Sequence, residues 1–252
     1  METTDLFYPQ ISVDLGKYTL DSGVKIEIQS SQESCSDWAK VRFTKQFQTA
    51  ITLARKDAAS ISLGYNGVYD EAISGYISQP YNGSGNVDEV ILKDGMFILE
   101  ETTINKVFLD TTPQEIVKYF LAQAGITDMK LSSTVYQTRK RVPICSLSAL
   151  KGINAVNAAW GISQKYFFRN GVFYWGVTPD QEKVYSFEYG INIISLTRTG
   201  GLWELETISS PFVRHSDKIA VTHPKIIGTF EVKKVVFLTN EAGFIRTYIY
   251  FN

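Results

Sequence analysis

Short runs of alternating apolar and polar residues, cut by turn-forming dipeptides, constrain this chain more than any other feature. Val24, Ile26 and Ile28 alternate with Lys25 and Glu27, and Ala39, Val41 and Phe43 alternate with Lys40 and Arg42. Ile61, Leu63 and Tyr65 alternate with Ser62 and Gly64, after which Asn66-Gly67 supplies a two-residue hairpin turn. A period of two puts one row of side chains in a core and the next in water, so each run predicts a strand. Gly75-Tyr76-Ile77 reads as a further strand, and the polar stretches 30–34 and 55–57 read as loops. Strands at this spacing predict a small sandwich or barrel. The pattern returns at the C-terminal end. Phe230–Leu238 reads as one long strand bulged at Lys233-Lys234, paired with Ile245–Phe251 across a turn at Asn240-Glu241-Ala242-Gly243.

Between these β-rich blocks lies the clearest helix. Thr112 and Glu115 form a capping box, Pro113 suits the first helical position, and Gly125 supplies a left-handed end. Ile116, Val117, Phe120, Leu121 and Ala124 fall on one face. A second helix is predicted over 148–160, ended by Gly161. The arms of 165–175, rich in aromatic residues around Asn170-Gly171, predict a type I′ hairpin. The stretch 80–86, rich in Gly and polar residues, reads as a linker. Val90-Ile91-Leu92 and Phe97-Ile98-Leu99 read as a hairpin around Lys93-Asp94-Gly95.

Charge and motif content remove several functions. Lys plus Arg total 25 against 26 for Asp plus Glu in 252 residues, so no basic excess supports a nucleic-acid binder held by phosphate contacts. Cys35 and Cys145 lie far apart with no CxxC, which favours two reduced thiols over a disulfide. Residues 1–10 lack a basic region followed by an apolar run, so no secretory signal is expected. No stretch approaches about 18 consecutive apolar residues, so no membrane span is predicted. His215 and His223 are the only histidines and lack metal-ligand spacing; His223, before Pro224, reads as a loop residue. Glu100-Glu101 and Glu204/Glu206 are local acidic pairs, which by themselves do not make a glycosidase cleft. Neither a nucleophile elbow nor a phosphate-binding loop occurs. No catalytic residue, cofactor or metal site is predicted.

The order of segments resembles the bacteriophage tail baseplate hub family (late-control D-like), which includes the base of type VI secretion spikes. The resemblance runs through Gly16-x-Tyr18-x-Leu20, Ala39-x-Val41-x-Phe43, Gly64-Tyr65-Asn66-Gly67 and Ser74-Gly75-Tyr76-Ile77 in the first block. Val107–Val117 is similar to the family's entry into a small middle domain and Phe187–Ile193 to its exit. His223-Pro224-x-Ile226-x-Gly228-x-Phe230-x-Val232 and Gly243-Phe244 resemble a second block.

The resemblance implies a β-rich α+β fold: two tail-tube-like β-barrels with a small inserted α/β domain. The expected division is a first barrel at 1–85, a discontinuous second barrel at 86–108 plus 191–252, and a middle domain at 109–190. It implies a structural, non-enzymatic hub in a virion tail baseplate, made in the host bacterial cytoplasm. The hub would be a homotrimer forming a ring of six barrels between a hexameric tail tube and a threefold spike. Expected partners are the chain itself, a tail tube or distal tail protein, a spike or tip protein and a tape-measure protein. Double-stranded DNA would pass through the ring without sequence-specific binding. Lys40, Val41, Arg42 and Phe43, with Ile245, Thr247, Ile249 and Phe251, are the candidate edge strands for assembly. The alternative is a virion-associated carbohydrate-binding or cell-wall-degrading module, supported by the aromatic hairpin at 166–175 and Trp203.

Overall fold

The computed structural model describes residues 9–34, 36–48, 51–83, 86–240 and 244–252. The chain divides into two compact units, Met1–Asp94 with Asp180–Asn252, and Gly95–Pro179. In order, the first unit opens with β1 (Pro9–Leu15), β2 (Tyr18–Leu20), β3 (Val24–Ser31), β4 (Trp38–Phe43) and the single turn α1 (Lys45–Gln48). β5 (Ala58–Tyr65), β6 (Val68–Gly83) and β7 (Asn86–Lys93) follow. The second unit holds α2 (Met96–Glu101), β8 (Thr103–Thr111), α3 (Pro113–Gln123), β9 (Met129–Leu131), β10 (Arg139–Ser148), α4 (Ala149–Trp160), β11 (Tyr166–Arg169) and β12 (Val172–Trp175). The chain then returns to the first unit with β13 (Tyr185–Glu188), β14 (Ile193–Thr199), β15 (Leu202–Ile208), β16 (Lys218–His223), β17 (Ile226–Thr239) and β18 (Ile245–Phe251).

The first unit is one continuous sheet in the order β14-β15-β18-β17-β3-β4-β7-β6-β5-β1-β2, with β16 on β17 and β13 beside β16. The alternation seen in the sequence decides its faces. Val24, Ile26 and Ile28, then Ala39, Val41 and Phe43, then Ile61 and Leu63 all enter a single core, joined by Leu205, Val235, Ile249 and Phe251. Asn66 and Gly67 adopt φ 53° and 82°, the left-handed pair that a type I′ hairpin needs. The predicted bulge falls where the β17–β18 register skips, between Val232 and Lys234. Of the predicted turn at 240–243, residues 241–243 lie outside the described residues, as does Cys35.

The same five-strand arrangement occurs twice in that sheet, as β3-β4-β7-β6-β5 and as β14-β15-β18-β17-β16. In each, the long middle strand of a meander changes partner halfway. β6 pairs with β5 over Val68–Tyr76 and with β7 over Tyr76–Gly83. β17 pairs with β16 over Ile226–Glu231 and with β18 over Val232–Thr239. At the first change of partner, Ile77 N–H donates to Asp57 O (2.9 Å) and Ile77 O accepts from Lys56 N–H (2.8 Å). At the second, Val232 N–H donates to Asp217 O (2.7 Å) and Val232 O accepts from Ser216 N–H (2.8 Å).

The turns opposite these residues also match. Lys56 and Ser216 both sit at positive φ (75° and 69°). The following aspartate closes each turn: Ala54 N–H donates to Asp57 Oδ2 and Arg214 N–H to Asp217 Oδ2, both at 2.8 Å. Left-handed backbone is costly for a residue with a Cβ, and here the carboxylate acceptor and the paired strand hold it in place. The repeats differ at their outer strand, since β1 pairs antiparallel with β5 while β13 pairs parallel with β16. One repeat is stitched to the other where Lys234–Leu238 of β17 pairs antiparallel with Glu27–Ser31 of β3.

A Cβ on Gly75, just before the first change of partner, would fall 2.0 Å from the Lys93 carbonyl oxygen. Gly75→Ala is therefore expected to force β6 and β7 apart locally and cost about 1–3 kcal/mol, read as a lowered denaturation midpoint with unchanged slope.

Three sequence expectations are corrected. The presumed linker 80–86 is the far end of the β6–β7 hairpin, with Gly83 paired to Asn86; residues 84–85 lie outside the described residues. Gly and polar residues occur at the ends of strands as readily as in a linker. Strand 86–93, assigned from the sequence to the second barrel, pairs with β4 and β6 in the first repeat. Phe97-Ile98-Leu99 is helical within α2, where Met96, Phe97 and Leu99 are all buried; so short an apolar run carries no periodicity to separate helix from strand.

The second unit spans Gly95–Pro179. β8 and β10 form one antiparallel pair, and β9, β12 and β11 a small mixed sheet. α3 carries the predicted box, with Thr112 N–H donating to the Glu115 carboxylate at 2.8 Å. That backbone hydrogen bond is the main reason the Glu115 carboxyl lies below its ordinary range. α4 is capped by Ser148, whose hydroxyl accepts from Lys151 N–H, and ends on left-handed Gly161 (φ 64°). Ile116, Phe120, Ile153, Phe173 and Trp175 meet in this unit's core.

Candidate functional site

The strands expected to be free edges are interior. β4 is paired with β3 on one side and β7 on the other, and β18 with β15 and β17. Their backbone groups are thus used within the chain. Alternation reports which face of a strand is buried and is silent on whether its edges are occupied. Val41, Phe43, Ile245, Thr247, Ile249 and Phe251 point into the core. Lys40 and Arg42 point outward to the shared partner Glu89, at 3.5 and 2.7 Å. Pairs this exposed add little to stability, because water and salt screen them.

The duplicated topology puts opposite charges at matched places. Through their pairing with β7 and β18, Lys40, Val41 and Arg42 of β4 occupy the positions of Glu204, Leu205 and Glu206 of β15. Glu206 lies 3.8 Å from Arg246, and its other oxygen accepts from the Ser195 hydroxyl at 3.1 Å. Burial, followed by the Glu204 carboxylate, pushes the Tyr250 phenol up to about 12, so it stays protonated on this face.

A buried polar cluster sits where the two repeats are joined. The Asp37 carboxylate accepts from the Ser30 hydroxyl (2.6 Å) and the Ser31 N–H (2.9 Å). Asp94, 5% exposed, accepts from Asp37 N–H (3.0 Å) and the Ser36 hydroxyl (2.9 Å). His215, 1% exposed, places Nε2 3.8 Å from Asp37 Oδ2 and Nδ1 2.9 Å from Ser216 Oγ. Gln32 spans the joint: its backbone N–H donates to Lys233 O (3.1 Å) and its side-chain amide to Ser216 Oγ (2.6 Å) and Glu231 (2.9 Å). The Arg214 guanidinium donates to the carbonyls of Pro211, Val213 and Glu71.

Ser216, His215 and Asp37 share the composition of a hydrolytic triad, but not its arrangement. The serine is 6% exposed, adjoins the histidine in sequence, and already accepts from Gln32. A nucleophile must reach a substrate, and here the groups instead fasten the end of β3 to the Arg214–Asp217 turn. The sequence offered no signal for this cluster, because its members lie far apart in the chain and meet only through the β3–β17 pairing.

The aromatic hairpin is a core element. Phe167, Phe168, Phe173, Tyr174 and Trp175 are each at most 7% exposed, and Phe168, Phe173 and Trp175 pack in one cluster with Phe120 of α3. The carbohydrate-binding alternative needed these rings on an exposed face. Trp203 is half-buried against the first unit's core. His223 closes β16 as a strand residue, with the Tyr189 ring edge-on at 4.8 Å, where the sequence had suggested a loop. Among the described residues, no group of three or more His, Cys, Asp or Glu side chains converges as a metal site.

No protein-family model matches the sequence. Nor does any curated protein. Solved structures do match in fold. A tail protein of prophage MuSo2 from Shewanella oneidensis superposes with a TM-score of 0.74 at 11% identity, covering 98% of both chains. A tail protein from Neisseria meningitidis gives 0.68 at 10% identity over 97% of this chain and 96% of the other. A type VI secretion component from E. coli, described as structurally similar to the T4 bacteriophage tail proteins gp27 and gp5, gives 0.67 at 12% identity over 95% of this chain and 76% of the other. The chain therefore has the fold of phage tail proteins, shared with a type VI secretion component, as its resemblance to the baseplate hub family implied.

Proposed function

We infer that this protein is a structural hub of a phage or phage-tail-like baseplate, located in the virion tail and working by assembly instead of catalysis. The duplicated five-strand arrangement carries this reading, because it gives one chain two similar modules in tandem. Taken as tube-like barrels, the modules would comprise residues 9–94 and 180–252, with 95–179 inserted between them. Three chains would then make a ring of six similar modules, suited to join a hexameric tube to a threefold spike or tip. A tape-measure protein and double-stranded DNA would occupy or cross its channel. The net charge of −1 suits a wall past which DNA must slide without sticking. The likeness in fold to phage tail proteins and to a type VI secretion component supports the tail role.

Light scattering across a concentration series is expected to resolve a trimer near three times 28.4 kDa, and electron microscopy a ring with six lobes. A chain that stays monomeric at the highest concentrations, or that forms open filaments, would overturn the trimeric ring.

A further inference from the structure

We propose that copies of this chain join through one defined strand pairing, in which the outer edge of β14 in one copy adds to the far half of β6 in the next. This rests on the hub reading above and supplies the joint that such a ring requires. The duplicated topology is the source of the inference. Within the chain, the repeats are joined by β3 lying against Lys234–Leu238 of β17. β14 is the counterpart of β3, and the far half of β6 is the counterpart of that part of β17. Each repeat thus carries both halves of the joint, yet one chain uses only one of each.

Among the described residues, the unused halves lack a second strand partner. Among the described residues, no strand pairs with β6 beyond Ile77 except β7. On β14, the outer edge carries one bridge, Tyr189 to Ile193, and the Lys225 ammonium bound to the Leu196 carbonyl at 3.0 Å. Thr197, Arg198 and Thr199 beyond them are exposed. Strands that lack a partner on one side are templates for strand addition.

The register follows from the internal pairing. Ile77 corresponds to Val232, and the register skips after both, so Gln79 corresponds to Lys234 and Tyr81 to Val236. Lys40 and Glu204 correspond, so their partners Glu27 and Thr197 do too, and Gln29 corresponds to Thr199. Val236 pairs with Gln29 within the chain; Tyr81 therefore pairs with Thr199 of the next copy. The new joint is heterologous, one surface meeting a different one, and such contacts close into rings or run on as filaments.

It is also the lighter of the two joints. Where β3 leads into the Gln32–Asp37 cluster, β14 ends at once in the turn Gly200-Gly201, and the turn facing it would offer Arg55-Lys56 in place of His215-Ser216. The intramolecular joint has a buried polar latch that the intermolecular one lacks, so assembly depends on protein concentration.

The test is disulfide trapping in the full chain with Cys35→Ser and Cys145→Ser. Directly opposed strand residues bring their Cβ atoms within disulfide reach. Tyr81→Cys chains mixed with Thr199→Cys chains are expected, on mild oxidation, to shift from the monomer band to a covalent dimer on a denaturing gel. Each variant alone should stay at the monomer band. A chain carrying both substitutions should give multimers that end at the closed ring. Gln29→Cys with Val236→Cys, inside one chain, controls for oxidation. If light scattering shows the oligomer and the control pair forms while 81 and 199 do not link, the joint is wrong and the hub reading survives. If the chain remains monomeric throughout, both fall.

Discussion

Trp175→Ala is expected to cost about 3–5 kcal/mol, enough to unfold the 95–179 unit in much of the population. Trp175 is fully buried, and its ring packs with Phe120, Phe173 and Tyr136 in that unit's core. Its indole N–H also donates to Asn157 Oδ1 at 3.0 Å, tying β12 to α4. Truncation removes the ring, leaves a cavity and orphans a buried amide oxygen, and these losses act in the same direction. Hydrogen exchange on the full chain should show protection lost across α3, α4 and β12 and retained in β3, β4 and β17. Trp175→Phe, which keeps much of the volume and drops the hydrogen bond, should cost about 1–3 kcal/mol. Uniform loss of protection along the chain would show that the two units unfold as one.

The second large effect is on pH. Burial, then the neighbouring Asp94 carboxylate, raises Asp37 from an ordinary 3.8 to about 8. A carboxyl raised on folding binds a proton that the unfolded chain has already released. Its contribution is therefore complete below about pH 4 and is lost as the pH climbs through about 8. Between those limits stability should fall by at most about 1.4 kcal/mol per pH unit. The 15% exposure of the Asp37 side chain makes that slope an upper bound. Asp94, His215 and Arg214 are the charged or titratable groups facing it. Urea unfolding at pH 5, 6, 7 and 8 should show the decline, and Asp37→Asn should flatten it. A slope that survives Asp37→Asn would place the titration elsewhere. Because the cluster fastens β3 to the turn before β16, its loss at high pH should first loosen the joint between the repeats.

The alternative reading of the chain drew its support from exposed aromatic rings, and packing removes that support. Val172–Trp175 was legible as a hairpin arm from Asn170-Gly171 and its aromatic content. Whether those rings faced water or a helix depended on α3 and α4 lying beside them, which no local pattern records.

What the sequence determined by itself is what short-range physics controls. Alternation at 24–28, 39–43 and 61–65 assigned the buried face of each strand, because side-chain direction along a strand has a period of two. Asn66-Gly67, Asn170-Gly171, the Thr112–Glu115 box and Gly161 fixed turns and helix ends, because each acts within four residues. The resemblance to tail hub proteins came from the order of such elements, and the solved tail proteins share that fold. Only the tertiary structure decided which strands are edges, since hydrogen-bond partners across a sheet lie tens to hundreds of residues apart and leave no periodic trace. Lys40–Phe43 and Ile245–Phe251 therefore looked like edges and are interior. The duplication, which the resemblance to tail hub proteins implied, left no trace in the residues themselves for the same reason. It lives in the matched turns at Lys56-Asp57 and Ser216-Asp217 and in the strand order, while the residues between them differ freely.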